Sequence, residues 1–131
     1  MIGIVLISHS RGLAQSVADL ARQLASDAVP IVGAGGTVDG RLGTSTELIA
    51  VAITAADRGG GIVLIPDMGS AVLAARALLA DRDVTVCGSR LVLVDAPFVE
   101  GAVAAAVAAS GGLDLAAVAE AAEEARDVRK L

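Results

Sequence analysis

Hydrophobic positions fall in short blocks whose period changes along the chain. Residues 2–8, Ile2-Gly3-Ile4-Val5-Leu6-Ile7-Ser8, form an apolar run without alternation, which predicts a strand covered on both faces. Leu13, Val17, Leu20 and Leu24 recur at spacings of 4, 3 and 4, one stripe of a 3.6-residue period, and predict a helix. Ala28 to Val32 predicts a second strand, and the glycine-rich segment from Gly33 to Gly43 a loop. Thr44 or Ser45 is placed to cap a helix running through Ala56, with Glu47 near its first turn. Gly59 to Gly61 breaks that helix, and Ile62 to Ile65 is a third buried strand. Met68, Val72, Ala75 and Leu79 mark the next helix, and Arg90 to Val94 a fourth strand. Pro97 to Ala109 is an Ala/Val helix ended by Gly111-Gly112, and Leu113 to Leu131 a polar helix with Leu115, Val118 and Ala122 on one side. Asp81 to Gly88 reads equally as a loop or an added short strand. Strand and helix alternate throughout, which predicts an α/β three-layer sandwich with a mostly parallel, four- or five-stranded sheet and right-handed crossovers.

Composition narrows the function. At 131 residues the chain is expected to be one domain. Ten Lys and Arg against fifteen Asp and Glu give a net charge of −5, which does not attract phosphate backbones, so nucleic acid is not expected as a partner. One Phe and no Trp or Tyr remove base- and sugar-stacking platforms. The core must be built from Ala, Val, Leu and Ile. Cys87, the one cysteine, makes no internal disulfide and no cysteine-rich metal site, which fits a reducing cytosol. The longest run without a charged residue, Gly101 to Leu113, has thirteen residues, short of the roughly 20 a spanning helix needs. The start of the chain lacks a basic segment before its apolar run, so a signal peptide is not expected. Part of the apolar excess suits an oligomer interface.

Ligands of open parallel sheets bind beyond the carboxyl ends of the strands. Ser8-His9-Ser10-Arg11-Gly12, Gly33-Ala34-Gly35-Gly36-Thr37, Pro66-Asp67-Met68-Gly69-Ser70 and Asp95-Ala96-Pro97-Phe98 fall there. His9, the single histidine, can act as nucleophile, base or metal ligand; the plainer alternative is a structural histidine at a helix start. One histidine with no cysteine nearby does not hold a transition metal, so no metal is expected. Asp67, on the neighbouring strand end, can accept the N–H of one ring nitrogen, fixing the tautomer and stabilising the cationic ring formed on attack; it can equally be a helix N-cap. Helix-start amides, the flexible backbone of Gly35, Gly36 and Gly69, and the hydroxyls of Ser10, Thr44, Ser45 and Ser70 suit an anion, although many glycine-rich loops are plain turns. Neither nucleotide-binding glycine motif is present, and no lysine precedes Lys130. A nucleophilic histidine, an orienting carboxylate and an anion cradle together point to transient phosphorylation of His9.

Val5-Leu6-Ile7-Ser8-His9-Ser10, Gly35-Gly36, Gly43-Thr44-Ser45, Asp67-Met68-Gly69-Ser70-Ala71 and Ala96 to Ala102 stand in unbroken order over about residues 1 to 112. In these blocks the chain resembles the phosphotransfer subunits of bacterial phosphoenolpyruvate-dependent dihydroxyacetone kinases, within the mannose-type IIA superfamily of the sugar phosphotransferase system. The resemblance implies that His9 is the phosphorylated residue, at Nε2, and that Asp67 hydrogen-bonds it. It implies phosphate received from the phosphocarrier HPr and passed to ADP on the nucleotide-binding subunit of the kinase, with the covalent phosphohistidine as the only carrier and no separate cofactor. It implies a cytoplasmic homodimer. The chain ends at Leu131, so it is expected to be a single-domain form or an excised domain. Arg11 has no role in this pattern.

Other readings stay open. A sugar-transport IIA domain would share the histidine. A cobalamin module uses Asp-x-His-x-x-Gly, but Ile7 stands in place of its aspartate. A phosphoglycerate-mutase-like phosphatase needs Arg-His-Gly and a second histidine, and this chain has Ser8-His9-Ser10 alone. A non-catalytic regulatory domain fits the Ala/Val-rich composition equally well.

Overall fold

The structure, a computed structural model, describes residues 1–80 and 89–131. Segment 81–88, which reads as loop or strand and contains Cys87, lies outside the described residues. Strands β1 (Gly3–Ser8), β2 (Ile31–Gly35), β3 (Ile62–Pro66) and β4 (Leu91–Leu93) form a parallel sheet in the order β2-β1-β3-β4. Helices α1 (Arg11–Leu24), α4 (Phe98–Ser110) and α5 (Leu115–Glu124) cover one face, and α2 (Thr46–Ala56) and α3 (Gly69–Ala80) the other. This is the expected three-layer α/β sandwich. Successive residues of β1 alternate between the two cores, Ile4 and Leu6 facing α1 and α4, Val5 and Ile7 facing α2 and α3. That is why the strand reads as apolar without a period.

Alanine sets the spacing between layers. Ala14, Val17, Ala18 and Ala21 are the buried face of α1. Leu13, Leu20 and Leu24, expected as its core stripe with Val17, are 42, 40 and 58 % exposed. Small side chains let this helix lie close to the sheet, and the leucines flank the contact. Likewise Ala71, Ala75 and Leu78 are the buried face of α3, while Met68 and Leu79 are exposed. Strand β2 is shifted from the expected Ala28–Val32, because Gly33, Ala34 and Gly35 belong to the strand and not to a loop. A Cβ at Gly33 would lie 3.0 Å from the Ala14 carbonyl carbon, so glycine is what admits α1 at this distance. The last helix also ends earlier than expected. It closes in a 3-10 turn over Ala125–Asp127, and residues 128–131 are exposed outside any helix. There Arg126 hydrogen-bonds the Asp95 carbonyl, and Lys130 lies 3.3 Å from Glu100.

Chain order reverses across β1, whose two neighbours are β2 and β3. The carboxyl end of β1 is therefore the switch point, where a parallel sheet opens a crevice. The register Ser8 to Gly35 and Ile7 to Pro66 brings His9, Gly36 and Asp67 to that end together.

Candidate active site

The turn carrying His9 is fixed on three sides. Ser10 has extended backbone (φ −117°, ψ 124°), and its Oγ accepts from the Leu13 amide at 3.2 Å, capping α1. The Gly36 amide donates to the Ser8 carbonyl at 3.2 Å, and the Gly43 amide to the His9 carbonyl at 3.0 Å. The turn also passes very close to β2. A Cβ on Gly35 would sit 2.4 Å from the Ser10 carbonyl oxygen and 2.8 Å from Arg11 Cα, so any side chain there would displace the backbone beside His9.

Asp67 follows β3, and its own amide donates to the Ile7 carbonyl at 2.9 Å. Its carboxylate receives four hydrogen bonds, two on each oxygen. Oδ1 accepts from His9 Nδ1 at 2.9 Å and from the Met68 amide at 2.8 Å. Oδ2 accepts from the Ser8 hydroxyl at 2.9 Å and from the His9 amide at 3.1 Å. Burial opposes ionisation of Asp67, but the His9 amide, the Ser8 hydroxyl and the His9 ring together outweigh it. They hold the carboxyl below its ordinary value of 3.8.

An ionised carboxylate only accepts, so the hydrogen-bond network assigns the ring proton to Nδ1. Nε2 then carries the lone pair, and the Ser70 hydroxyl donates to it. The His9 side chain is 20 % exposed and that of Asp67 is 7 % exposed, so the ring reaches solvent while its hydrogen-bond partner is nearly buried. Gly69 and Ser70 open α3, where the first amides of a helix have no intrahelical acceptor and the dipole favours an anion. Beside them, Pro66, Asp67, Met68 and Arg76 line one wall of a cleft that Leu93 and Asp95 close on the other.

The other rim residues differ in what they have left to offer. The Ser10 hydroxyl is engaged as a cap, and the Gly36 amide is used by Ser8. Gly35 lies inside β2, and Gly36 is a turn residue with φ +75°. Thr44 precedes the cap of α2, which is Ser45, and lines a shallow surface with Val38 and Ala74. Arg11 opens α1 and lines a groove on the β2 side with Gln15 and Val32. Among the described residues, no group of three His, Cys, Asp or Glu is placed to hold a metal ion. Sequence reasoning placed Ser8 at the strand end but gave it no role. The only signal was a hydroxyl closing an otherwise apolar run.

Fold and site define an α/β domain built around one imidazole at the switch point, its tautomer set by Asp67 and the lone pair of its other nitrogen facing the Ser70 hydroxyl. The chain belongs to the EIIA-man family, the PTS system fructose IIA component, whose family pattern matches residues 3–119. Over 107 residues it is 39 % identical to the phosphoryl donor subunit DhaM of PEP-dependent dihydroxyacetone kinase 2 from Listeria innocua, covering 82 % of this chain and 85 % of that one. It is 36 % identical over 118 residues to DhaM of Escherichia coli K12; the match takes in 88 % of this chain but only 25 % of that longer protein. The crystal structure of the unknown-function protein EF1359 has the same fold, with a TM-score of 0.80 and 33 % identity over 94 % of this chain and 93 % of the other. No helix among the described residues is long and apolar enough to cross a membrane.

Proposed function

We propose that this chain is the phosphoryl donor subunit of a phosphoenolpyruvate-dependent dihydroxyacetone kinase, relaying phosphate through Nε2 of His9. The observation that carries the reading is the 2.9 Å contact between His9 Nδ1 and Asp67, which leaves Nε2 as the nucleophilic nitrogen. The names of the relatives support the kinase assignment over a sugar-transport domain.

In the first transfer the Nε2 lone pair forms an N–P bond with the phosphorus of phosphorylated HPr. The donor's own P–N bond breaks, and its electron pair returns to the donor ring. His9 becomes cationic, its Nδ1 proton held by Asp67, so no proton need move. Ser70 swings from Nε2 to a phosphoryl oxygen, and the amides of Gly69 and Ser70 receive the others; Ser10, Gly35, Gly36 and Thr44 shape the rim. In the second transfer a terminal phosphate oxygen of ADP, bound to the nucleotide-binding subunit of the kinase, attacks phosphorus, and the pair returns to Nε2. Such transfers depend on positioning and electrostatics. The working protein is a cytoplasmic homodimer, and the phosphoryl group on His9 is its only carrier.

The test is incubation with labelled phosphoenolpyruvate, enzyme I and HPr. The chain is expected to gain acid-labile, base-stable label that His9→Ala abolishes while the far-ultraviolet spectrum is unchanged. The label should then pass to ADP on the kinase subunit. Absence of label on the folded wild-type protein would overturn the reading, and passage to a sugar-transport domain would redirect it.

A further inference from the structure

Ser8 is wholly buried, the only polar or charged residue so classed among the described residues. It ends a strand whose other side chains are apolar and pack into the two cores. A buried hydroxyl in such a place is unfavourable unless both its donor and acceptor capacities are used. Both are. It donates to Asp67 Oδ2 at 2.9 Å and accepts from the Ser10 amide at 3.0 Å. The cap of α1 is Ser10, so Ser8 is not needed to start the helix.

Among the described residues, the hydroxyl is the only side chain besides the His9 ring that hydrogen-bonds the Asp67 carboxylate. The other two donors are backbone amides, which cannot turn away. We infer that Ser8 is a positioning residue of the phosphoryl relay, holding the Asp67 carboxylate in the plane where it keeps His9 Nδ1 protonated and Nε2 aimed outward. Without it, Oδ2 keeps one donor, and the carboxylate is freer to rotate and more basic. The inference rests on His9 being the relay residue.

Among the described residues, His9 hydrogen-bonds the Asp67 carboxylate, and Arg76 of α3 and Asp95 after β4 line the adjoining cleft without forming an ion pair with it. Burial raises the Asp67 carboxyl, and the hydrogen bonds it receives, one of them from Ser8, bring it below its ordinary value.

The experiment measures transfer from phosphorylated HPr to wild type, Ser8→Ala and Ser8→Cys across pH, with folding checked by circular dichroism. Ser8→Cys keeps the volume in case the smaller residue loosens the strand. Both variants are expected to accept phosphate about tenfold more slowly, the scale of one hydrogen bond to a charged group. Their acidic limb should lie at higher pH than that of wild type, because Asp67 loses a donor that favours its ionised form. A purely structural Ser8 would change stability and leave that limb in place. Wild-type rate with an unmoved acidic limb in either folded variant would overturn the inference while leaving the relay intact. Failure of wild type to accept phosphate at all would instead overturn the proposed function.

Discussion

Replacing Asp67 by Asn keeps the shape of the carboxylate and removes half of its accepting capacity, so its effect follows from the four hydrogen bonds. In one amide orientation the oxygen stays toward His9 Nδ1 and the Met68 amide, and the NH2 faces the Ser8 hydroxyl and the His9 amide. The hydroxyl can rotate and accept, but the His9 amide is left pointing at another donor, a loss of about 1–3 kcal/mol. In the flipped orientation the NH2 faces Nδ1, which must then accept; the ring proton moves to Nε2 and the nucleophilic lone pair is gone. Each orientation damages something, and the two effects are read separately. For a chain of this length, about 1–3 kcal/mol corresponds to a fall in Tm of about 3–15 °C. Phosphoryl transfer from HPr should slow at least about tenfold, roughly 1.4 kcal/mol of barrier. The assays are thermal unfolding, single-turnover labelling, and nitrogen-15 spectra of the one histidine. An unchanged transfer rate in folded Asp67→Asn would refute the orienting role of the carboxylate, whatever the melting temperature did.

Three further outcomes follow from the same geometry. Gly35→Ala should lower stability by about 1–3 kcal/mol and slow labelling of His9, because the new Cβ meets the Ser10 backbone at 2.4 Å; normal stability and rate would show that the turn yields freely. Ser45→Ala should lower stability by about 1 kcal/mol through loss of the α2 cap while leaving the labelling rate alone, as measured by denaturant unfolding. Asp67 is held below its ordinary 3.8 in the folded chain, so its contribution to stability is fully present above that value and is lost as pH falls through the lower folded value. Acid unfolding curves of wild type and Asp67→Asn should accordingly converge below about pH 4, and parallel curves would contradict the assignment.

The succession of strands and helices along the chain was legible because glycine and serine punctuate it clearly, and because Ile and Val runs mark the buried strands β1 and β3. What misled was the assumption that the largest apolar side chains point inward. In α1 the alanines face the sheet and Leu13, Leu20 and Leu24 do not, since close approach of two layers favours small residues at the contact. Gly33-Ala34-Gly35 reads as loop for the same reason it is strand: the helix lies where side chains would be. His9 and Asp67 could be paired from sequence because strands β1 and β3 are neighbours whose ends carry them. Ser8 could not, as a hydroxyl closing an apolar strand carries no sign of the carboxylate it meets. Ser70 fell on the expected rim, but only the fold brings its hydroxyl to Nε2 rather than to solvent.

The central claim concerns one nitrogen atom. The chain has a single histidine, so phosphorus-31 and nitrogen-15 spectra of the phosphorylated protein report its ring without interference. Phosphate bonded to Nε2, with the proton still on Nδ1, is the predicted result. Phosphate on Nδ1, or on any residue other than His9, would contradict the account.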